Sequence, residues 1–156
     1  MTSGPLPQAD YEAIYARVPR LTVELVVVGE LGVVLTRRAA GPCAGLWHLP
    51  GGTVRYGEPL VEAVARVGRS ELDAALEAGE LLGAIEYPSH LAAGIDWPVG
   101  LAFRCTGPEG GVPEDEHRRW FSTLPGEMHD EQRQFLEDHG LVARHDGAEH
   151  DGSPAR

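Results

Sequence analysis

A glycine- and proline-rich segment that leads directly into a helical pattern constrains this chain most. Glycine or proline recurs throughout residues 38–57, at positions 41, 42, 45, 50, 51, 52 and 57. From Pro59, a residue suited to a first helical turn, apolar side chains keep a helical spacing through position 72. Because glycine has no side chain, such a loop lets backbone amides and carbonyls approach a bound ligand closely.

Strand candidates lie on both sides of this helix. Apolar runs over residues 21–28 and 33–37, separated by a turn signal at 29–32, predict a hairpin. Further strands are predicted over residues 81–87, 99–105 and 116–121. A helix over 8–17 and an amphipathic helix over 128–139, closed by Gly140, complete the pattern. The pattern predicts an α/β (α+β) sandwich with a mixed β-sheet.

The length of 156 residues is consistent with one domain. We expect a flexible segment over residues 1–7, the domain over 8–140 and a disordered tail over 141–156, which is polar and rich in small residues.

The charge pattern excludes several chemistries. The net charge is −11, all 13 basic residues are arginines, and the sequence contains neither lysine nor asparagine. Schiff-base catalysis by lysine and a lysine-containing phosphate loop are therefore impossible. An acidic chain also disfavours nucleic acid as a partner, although a few arginines can hold a small phosphorylated ligand.

The cysteine count and the apolar runs indicate the compartment. Cys43 and Cys105 are far apart, which predicts neither a disulfide framework nor a zinc-ligand cluster. The first ten residues have no signal-peptide pattern, and no apolar run approaches the roughly 20 residues of a membrane span. We expect a cytoplasmic protein with reduced thiols and no membrane contact.

One motif indicates a metal-binding, phosphate-related function. Gly52, Glu58, Arg66 and Glu71 follow the spacing Gly-x5-Glu-x7-Arg-x4-Glu, directly after the segment GLWHLPG at residues 45–51. Positions 67, 70 and 71 share one face of the helix, where carboxylates would be hard oxygen ligands for Mg²⁺.

This arrangement resembles the Nudix hydrolases, whose box reads GX5EX7REUXEEXGU with U aliphatic, and it implies their α/β/α sandwich. Val67 and Ser70 stand where the box has glutamates, and Asp73 stands where it has glycine. Gly68 replaces an aliphatic residue, and a glycine inside a helix costs about 1 kcal/mol relative to alanine. We therefore expect Gly68 to be a local weakness.

Over about residues 11–124 the chain is most similar to the GDP-mannose mannosyl hydrolase branch, which also keeps only the last glutamate. The resemblance implies a metal site for Mg²⁺ or Mn²⁺ and a homodimer formed through the N-terminal region. The implied metal ligands are Glu71, the Gly52 carbonyl and Glu116. The implied catalytic residues are Arg38, Arg66 and the base His117. The implied substrate-binding residues are Glu24, Arg38 and Arg55. The branch has an arginine directly after the double glycine, where this chain has Thr53, and Arg55 lies two positions further on.

The function implied is hydrolysis of a nucleoside diphosphate linked to another moiety, with a nucleotide sugar as the favoured class. In that branch water attacks the sugar carbon, and the nucleoside diphosphate leaves. The alternative is a catalytically impaired Nudix-fold module that binds or senses a nucleotide, which the loss of two box glutamates favours. RNA decapping is disfavoured by the acidic charge.

Each residue also has a structural interpretation. Glu71 and the pair Arg37-Arg38 could be solvated, and Glu58 with Arg66 could only brace the turn before the helix. Glu24 lies either buried, where an unpaired carboxylate is costly, or on an exposed edge. His117 lies in the charged run EDEHRRW, which is typical of a surface. Histidines 48, 129, 139, 145 and 150 show no metal-ligand spacing and are assigned no role.

Overall fold

The computed structural model of the protein describes residues 5–108 and 111–142. Four helices and eight strands lie in these ranges: α1 (Gln8–Tyr15), β1 (Arg20–Val26), β2 (Val28–Gly29), β3 (Gly32–Arg37), β4 (Trp47–His48), β5 (Gly51–Thr53), α2 (Leu60–Leu72), β6 (Glu77–Glu86), α3 (Pro88–Ala92), β7 (Pro98–Thr106), β8 (Arg118–Phe121) and α4 (Asp130–Asp138). Residues 1–4 of the predicted flexible segment and residues 143–156 of the predicted tail lie outside the described ranges.

Two sheets form the centre of the fold. The first has the strand order β5-β1-β7-β6, and the second consists of β2, β3 and β4 with β8 also paired to β3. β1 runs antiparallel to β5 and parallel to β7, so the predicted mixed sheet is confirmed.

The prediction that residues 21–28 pair with residues 33–37 as a hairpin is wrong for most of the first segment. Only the two-residue β2 pairs with β3, through Val28 and Val33, whereas β1 pairs with β5 and β7. The residues from Thr22 to Val27 are all buried. Such a continuous run suits a central strand covered on both faces, which needs a neighbour at each edge rather than one hairpin partner.

The two faces of β1 contribute to two separate cores. Val23 and Leu25 pack with Val64 and Val67 of α2. Val26 packs in the other core, which contains Leu136 of α4. Because side chains alternate along a strand, Glu24 shares the face of Val26 and points toward the α4 side. Helices on both sides of the sheets confirm the α/β/α sandwich.

The helix of the motif ends in close packing. A Cβ added to Gly68 would lie 3.0 Å from Leu76 Cγ and 3.1 Å from the Ala74 carbonyl oxygen. Asp73 is the C-cap residue and adopts a left-handed conformation with φ 50°, which aspartate tolerates better than most residues. The missing side chain of Gly68 therefore makes room for the chain returning toward β6, and the cost of this glycine to the helix stays a prediction.

Three short elements did not show in the sequence pattern. The glycine-rich segment contains β4 and β5, and the loop between β6 and β7 contains α3. These elements have two, three and five residues, too few to display a hydrophobic period. All three contribute to the site described next.

Candidate functional site

A cavity of about 250 Å³ lies where the two sheets meet three helices. Its lining includes Tyr11 of α1, Arg20 and Glu24 of β1, Arg38, His48 of β4, and Gln132 of α4. The polar and charged character of this lining suits a polar, anionic ligand.

Glu24 lies on the floor of the cavity and is only 6% exposed. It is flanked by Gly51 of β5 and Gly100 of β7, and a Cβ at Gly100 would lie 2.7 Å from Glu24 Oε1. A Cβ at Gly51 would overlap Glu24 Oε2. These two glycines make the space in which the carboxyl group sits, so the buried interpretation of Glu24 is the correct one.

A chain of hydrogen bonds holds this floor in place. Thr22 Oγ1 donates to Glu24 Oε1 at 2.8 Å. Gln132 Nε2 donates to the Tyr87 hydroxyl oxygen at 2.8 Å, and Gln132 Oε1 accepts from the Leu49 amide at 2.7 Å. Burial raises the pKa of Glu24 to about 7, although hydrogen bonds from Thr22 and Tyr87 oppose this shift. The carboxyl group can therefore exchange a proton near neutral pH.

Arg20 joins three parts of the cavity wall. Its Nε donates to Asp96 Oδ2 at 2.6 Å, and its Nη1 donates to Thr53 Oγ1 at 3.1 Å. Its guanidinium carbon lies 6.0 Å from the centre of the Tyr11 ring. Sequence reasoning missed Arg20, because a lone arginine at a strand start carries no spacing signal.

Arg38 is the second arginine of the cavity. Burial raises the pKa values of Glu24 and Glu71, and the positive charge of Arg38 partly opposes this effect at both carboxyl groups. Burial together with Arg38 lowers the pKa of His48 to about 4, so this ring is neutral at pH 7. The guanidinium group thus contributes a positive field to the cavity that reaches the motif helix.

Glu71 lies in the last turn of α2 and is exposed at its surface. Partial desolvation by neighbouring atoms nevertheless raises the pKa of its carboxyl group, and Arg38 opposes the shift. The fold therefore places Glu71 within electrostatic reach of Arg38, although 33 positions separate them in sequence.

The side chains at positions 67 and 70 of the box carry no carboxylate. Val67 is 1% exposed, and a Cβ added to Gly52 would lie 2.9 Å from Val67 Cγ2. Ser70 Oγ donates to the Val67 carbonyl of its own helix at 3.2 Å. An apolar contact therefore closes the face of α2 toward Gly52, and Glu71 alone keeps an acidic side chain among these positions.

Arg66 and Glu58 brace the turn before α2. Arg66 Nε donates to Glu58 Oε1 at 2.6 Å, and its Nη2 donates to Glu58 Oε2 at 2.8 Å and to the Thr53 carbonyl at 2.9 Å. Glu58 Oε2 also accepts from the Arg55 amide at 2.9 Å. The hydrogen bond lowers the pKa of Glu58 and raises that of Arg66. This geometry supports a positioning role for Arg66.

Glu116 and His117 precede β8 at the protein surface. Their side chains are 85% and 53% exposed and lie 3.5 Å apart at the nearest nitrogen and oxygen. The His117 carbonyl accepts from the Arg37 amide at 2.8 Å, which places the pair beside the end of β3. Within the described part of the chain, neither residue contributes to the cavity lining.

A cluster of cysteine and histidine lies at the rim of the cavity. The side-chain ligand atoms of Cys43, His90 and His129 all lie within 4.8 Å of one another. Cys43 and Cys105 are both free thiols, and the fold brings Cys43 close to His90 and His129, a grouping that the sequence pattern did not predict. Sequence spacing could not reveal this grouping, because Cys43 and His90 are 47 positions apart and His90 and His129 are 39 positions apart.

No helix among residues 5–108 and 111–142 has the length and apolar character needed to cross a membrane.

Comparison with known proteins identifies the family of this fold. A profile of the NUDIX domain matches residues 18–139. The chain belongs to the NUDIX family. The resemblance inferred from the box residues is therefore confirmed at the level of family and fold.

Individual relatives agree with this assignment. A MutT NUDIX hydrolase from Burkholderia pseudomallei is 30% identical, with a TM-score of 0.68 over 78% of this chain and 98% of that one. A NUDIX hydrolase from Nitrosomonas europaea is 27% identical, with a TM-score of 0.62 over 83% of this chain and 77% of that one. The low-salt glycan biosynthesis protein Agl8 of Haloferax volcanii is 40% identical over 93 residues, which are 58% of this chain and 60% of that protein. The chain thus matches less than two thirds of Agl8.

NUDIX hydrolases generally use divalent metal ions such as Mg²⁺, and the residues present fit one such ion. Mg²⁺ commonly takes one or two carboxylates from the protein and completes its shell with water and substrate phosphates. Glu71 supplies one exposed carboxylate within electrostatic reach of Arg38. With Val67 and Ser70 in place of glutamates, the box itself cannot supply the carboxylates of a multi-metal cluster.

Proposed function

We propose that this NUDIX protein hydrolyses a nucleoside diphosphate linked to another moiety, with a nucleotide sugar as the favoured substrate class. The observation that carries the proposal is a single cavity lined by Arg20, Arg38 and the buried Glu24, with Glu71 in the electrostatic reach of Arg38. Two guanidinium groups suit a diphosphate, and a buried carboxyl group suits hydroxyl or amino groups of a sugar or base.

The nucleotide-sugar class has a second, weaker support. The name of the Haloferax relative places that protein in glycan biosynthesis, which consumes activated sugars. A cavity of about 250 Å³ accommodates part of such a ligand, so the remainder would extend along the exposed rim near Arg38.

In the proposed mechanism, water attacks the sugar carbon and the nucleoside diphosphate leaves. Mg²⁺ or Mn²⁺ held by Glu71, with the Gly52 carbonyl and Glu116 as further protein ligands, would offset the charge of the leaving group. Arg38 stabilises the same charge through forked hydrogen bonds, and Arg66 keeps the Thr53 carbonyl and the turn before α2 in place.

Two residues are candidates for the base that activates water. His117 is the base that the mannosyl hydrolase resemblance implies, and it lies at the surface beside β3, outside the cavity lining. Glu24 lies inside the cavity, and its pKa of about 7 is suited to general base catalysis near neutral pH. Substrate binding by Glu24, Arg38 and Arg55 completes the proposed roles.

The test is turnover of GDP-mannose and related nucleotide sugars with Mg²⁺, followed by product analysis. Free sugar supports attack at carbon, and a sugar phosphate indicates attack at phosphorus. Glu71→Gln is expected to lower kcat/KM about 100-fold, because the charge of the leaving group is then less well offset. Glu62→Gln, an exposed substitution on the same helix, is the matched control. Absence of turnover, or an unaffected Glu71→Gln variant, would contradict the mechanism.

A nucleotide-binding or regulatory module without catalysis is the second candidate. The apolar contact between Val67 and Gly52 favours it, because this contact occupies the helix face that the family uses for further carboxylates. Thermal stabilisation by a nucleotide sugar without Mg²⁺ and without any product would select this function over hydrolysis.

We also propose a homodimer and a cytoplasmic location. The dimer proposal is supported by an N-terminal groove, defined here by Tyr15, Val18, Leu91 and Ile95. Val18 and Leu91 are 47% and 61% exposed in the single chain, and α1 buries none of its residues. A second copy would cover these apolar side chains.

A further inference from the structure

We propose that Cys43, His90 and His129 form a binding site for a zinc-like transition-metal ion, separate from the Glu71 site. Their three ligand atoms lie within 4.8 Å of one another, although they come from three different segments. Cys43 lies in the loop between β3 and β4, His90 lies in α3, and His129 is the N-cap residue of α4. One thiol and two imidazoles are the soft and borderline donors that select zinc-like ions over Mg²⁺.

The spacing of the atoms approaches that of a tetrahedral site. Zinc–sulfur and zinc–nitrogen bonds place a thiolate sulfur and an imidazole nitrogen about 3.6 Å apart at a tetrahedral angle. Cys43 Sγ and His90 Nε2 lie 3.8 Å apart. The His90 and His129 ring centres are 5.3 Å apart, so both rings are close enough to turn a nitrogen toward one ion.

His90 is already oriented as a metal ligand. Its Nδ1 lies 2.9 Å from Asp96 Oδ1, and Asp96 Oδ2 accepts from Arg20 Nε at 2.6 Å. The carboxylate paired with Arg20 is an acceptor, so Nδ1 carries the proton and Nε2 faces the thiol of Cys43. A carboxylate on the far nitrogen of a ligating histidine is the usual arrangement at zinc sites.

The loop that carries Cys43 is held by its own hydrogen bonds. The Gly45 amide donates to the Arg38 carbonyl at 2.8 Å, and the Leu46 amide donates to the Cys43 carbonyl at 3.1 Å. Arg37 Nε donates to the Gly45 carbonyl at 2.9 Å. Cys43 itself has φ 65°, an uncommon conformation for a residue with a side chain. The backbone therefore presents the thiol to the two histidines at some conformational cost.

The proposed site has three protein ligands and faces the cavity. His90 and His129 both line the cavity that also contains Arg38 and His48. An ion with three protein ligands keeps a fourth position for water or for an oxygen atom of a ligand, as in catalytic rather than structural zinc sites. The ion would thus add a second positive charge to the rim near Arg38.

Metal titration of the full-length protein tests the site without reference to its activity. We expect the protein to compete with a chromophoric chelator for one equivalent of Zn²⁺. We expect Co²⁺ bound to the protein to show a thiolate-to-metal charge-transfer band. Cys43→Ser should abolish the band, and His90→Gln and His129→Gln should each weaken Zn²⁺ binding at least 10-fold. Asp96→Asn should weaken it about 10–100-fold by releasing the orientation of His90.

Two controls separate this site from others. Cys105→Ala removes the other thiol and should keep the band, and Glu71→Gln should leave Zn²⁺ affinity unchanged. Circular dichroism of Cys43→Ser checks that the variant is folded. Absence of stoichiometric Zn²⁺ binding, or a band that persists in Cys43→Ser, would overturn the proposal. Rapid alkylation of Cys43 in a protein that binds no metal would also overturn it, and would indicate a Cys-His-Asp nucleophile instead.

Discussion

At the scale of single residues, buried ionisable groups make the cavity sensitive to pH. Glu24 titrates near 4.5 in an unfolded chain and near 7 in the folded protein. Between these values folding takes up a proton, so the free energy of unfolding falls as pH rises. His48 has the opposite effect, because its pKa falls from 6.5 to about 4 and the unfolded chain binds more protons in that range. The two contributions oppose each other between pH 4.5 and 6.5.

Glu24→Gln separates these contributions. The variant keeps the shape of the side chain but has no charge, so it avoids the cost of a buried carboxylate above pH 7. Its free energy of unfolding relative to the wild type should rise by about 3 kcal/mol between pH 4.5 and pH 7, as measured by urea unfolding at several pH values. A difference that does not depend on pH would show that Glu24 titrates normally in the folded protein.

At the scale of secondary structure elements, the turn between β5 and α2 depends on one arginine. Arg66 holds both oxygens of Glu58 and the Thr53 carbonyl, and Glu58 in turn holds the Arg55 amide. The Pro59 N-cap residue of α2 makes no side-chain capping bond, so this brace is the main polar support described at that end of the helix.

Arg66→Lys tests the brace. A lysine cannot reproduce the forked pair with Glu58 together with the bond to Thr53, so we expect a loss of about 1–2 kcal/mol in the free energy of unfolding. Arg69→Lys, on the exposed side of the same helix, should change stability by less than about 0.5 kcal/mol. If Arg66→Lys lowered kcat without any loss of stability, Arg66 would act on the substrate rather than on the turn.

At the scale of the whole molecule, the cavity exists only because the two sheets and three helices meet. Glu24 comes from one sheet, His48 from the other and Gln132 from α4, and none is close to the others in sequence. The same assembly leaves the N-terminal groove uncovered.

The dimer proposal predicts a mass of twice 16.8 kDa in light scattering. Leu91→Glu introduces a charge into the N-terminal groove and should dissociate the dimer. Leu31→Glu, at an equally exposed position in the turn before β3, should leave the dimer intact. A wild-type protein with the mass of one chain would contradict the proposal.

Much of the fold was predictable because its signals are local. The helical spacing from Leu60 to Leu72, the apolar runs of β1 and β7, and the second half of β6 are patterns that a sequence displays by itself. The first residues of β6 are mostly exposed and gave no such pattern. The pairing of β1 was not predictable, because an apolar run buried on both faces does not indicate which strands lie beside it in the sheet. Arg20 was missed for the same reason, since its partners Thr53 and Asp96 are set only by folding.

The sequence by itself determined the family. Gly52, Glu58, Arg66 and Glu71 keep the spacing of the box although two of its glutamates are replaced. Only the tertiary structure decided what surrounds that motif. Two flanking glycines leave space for Glu24, and its burial there raises the pKa of its carboxyl group. Chain folding brings Cys43 to two histidines far along the sequence. The physical reason is that solvation and the distance between side chains depend on packing, whereas backbone periodicity depends on neighbouring residues.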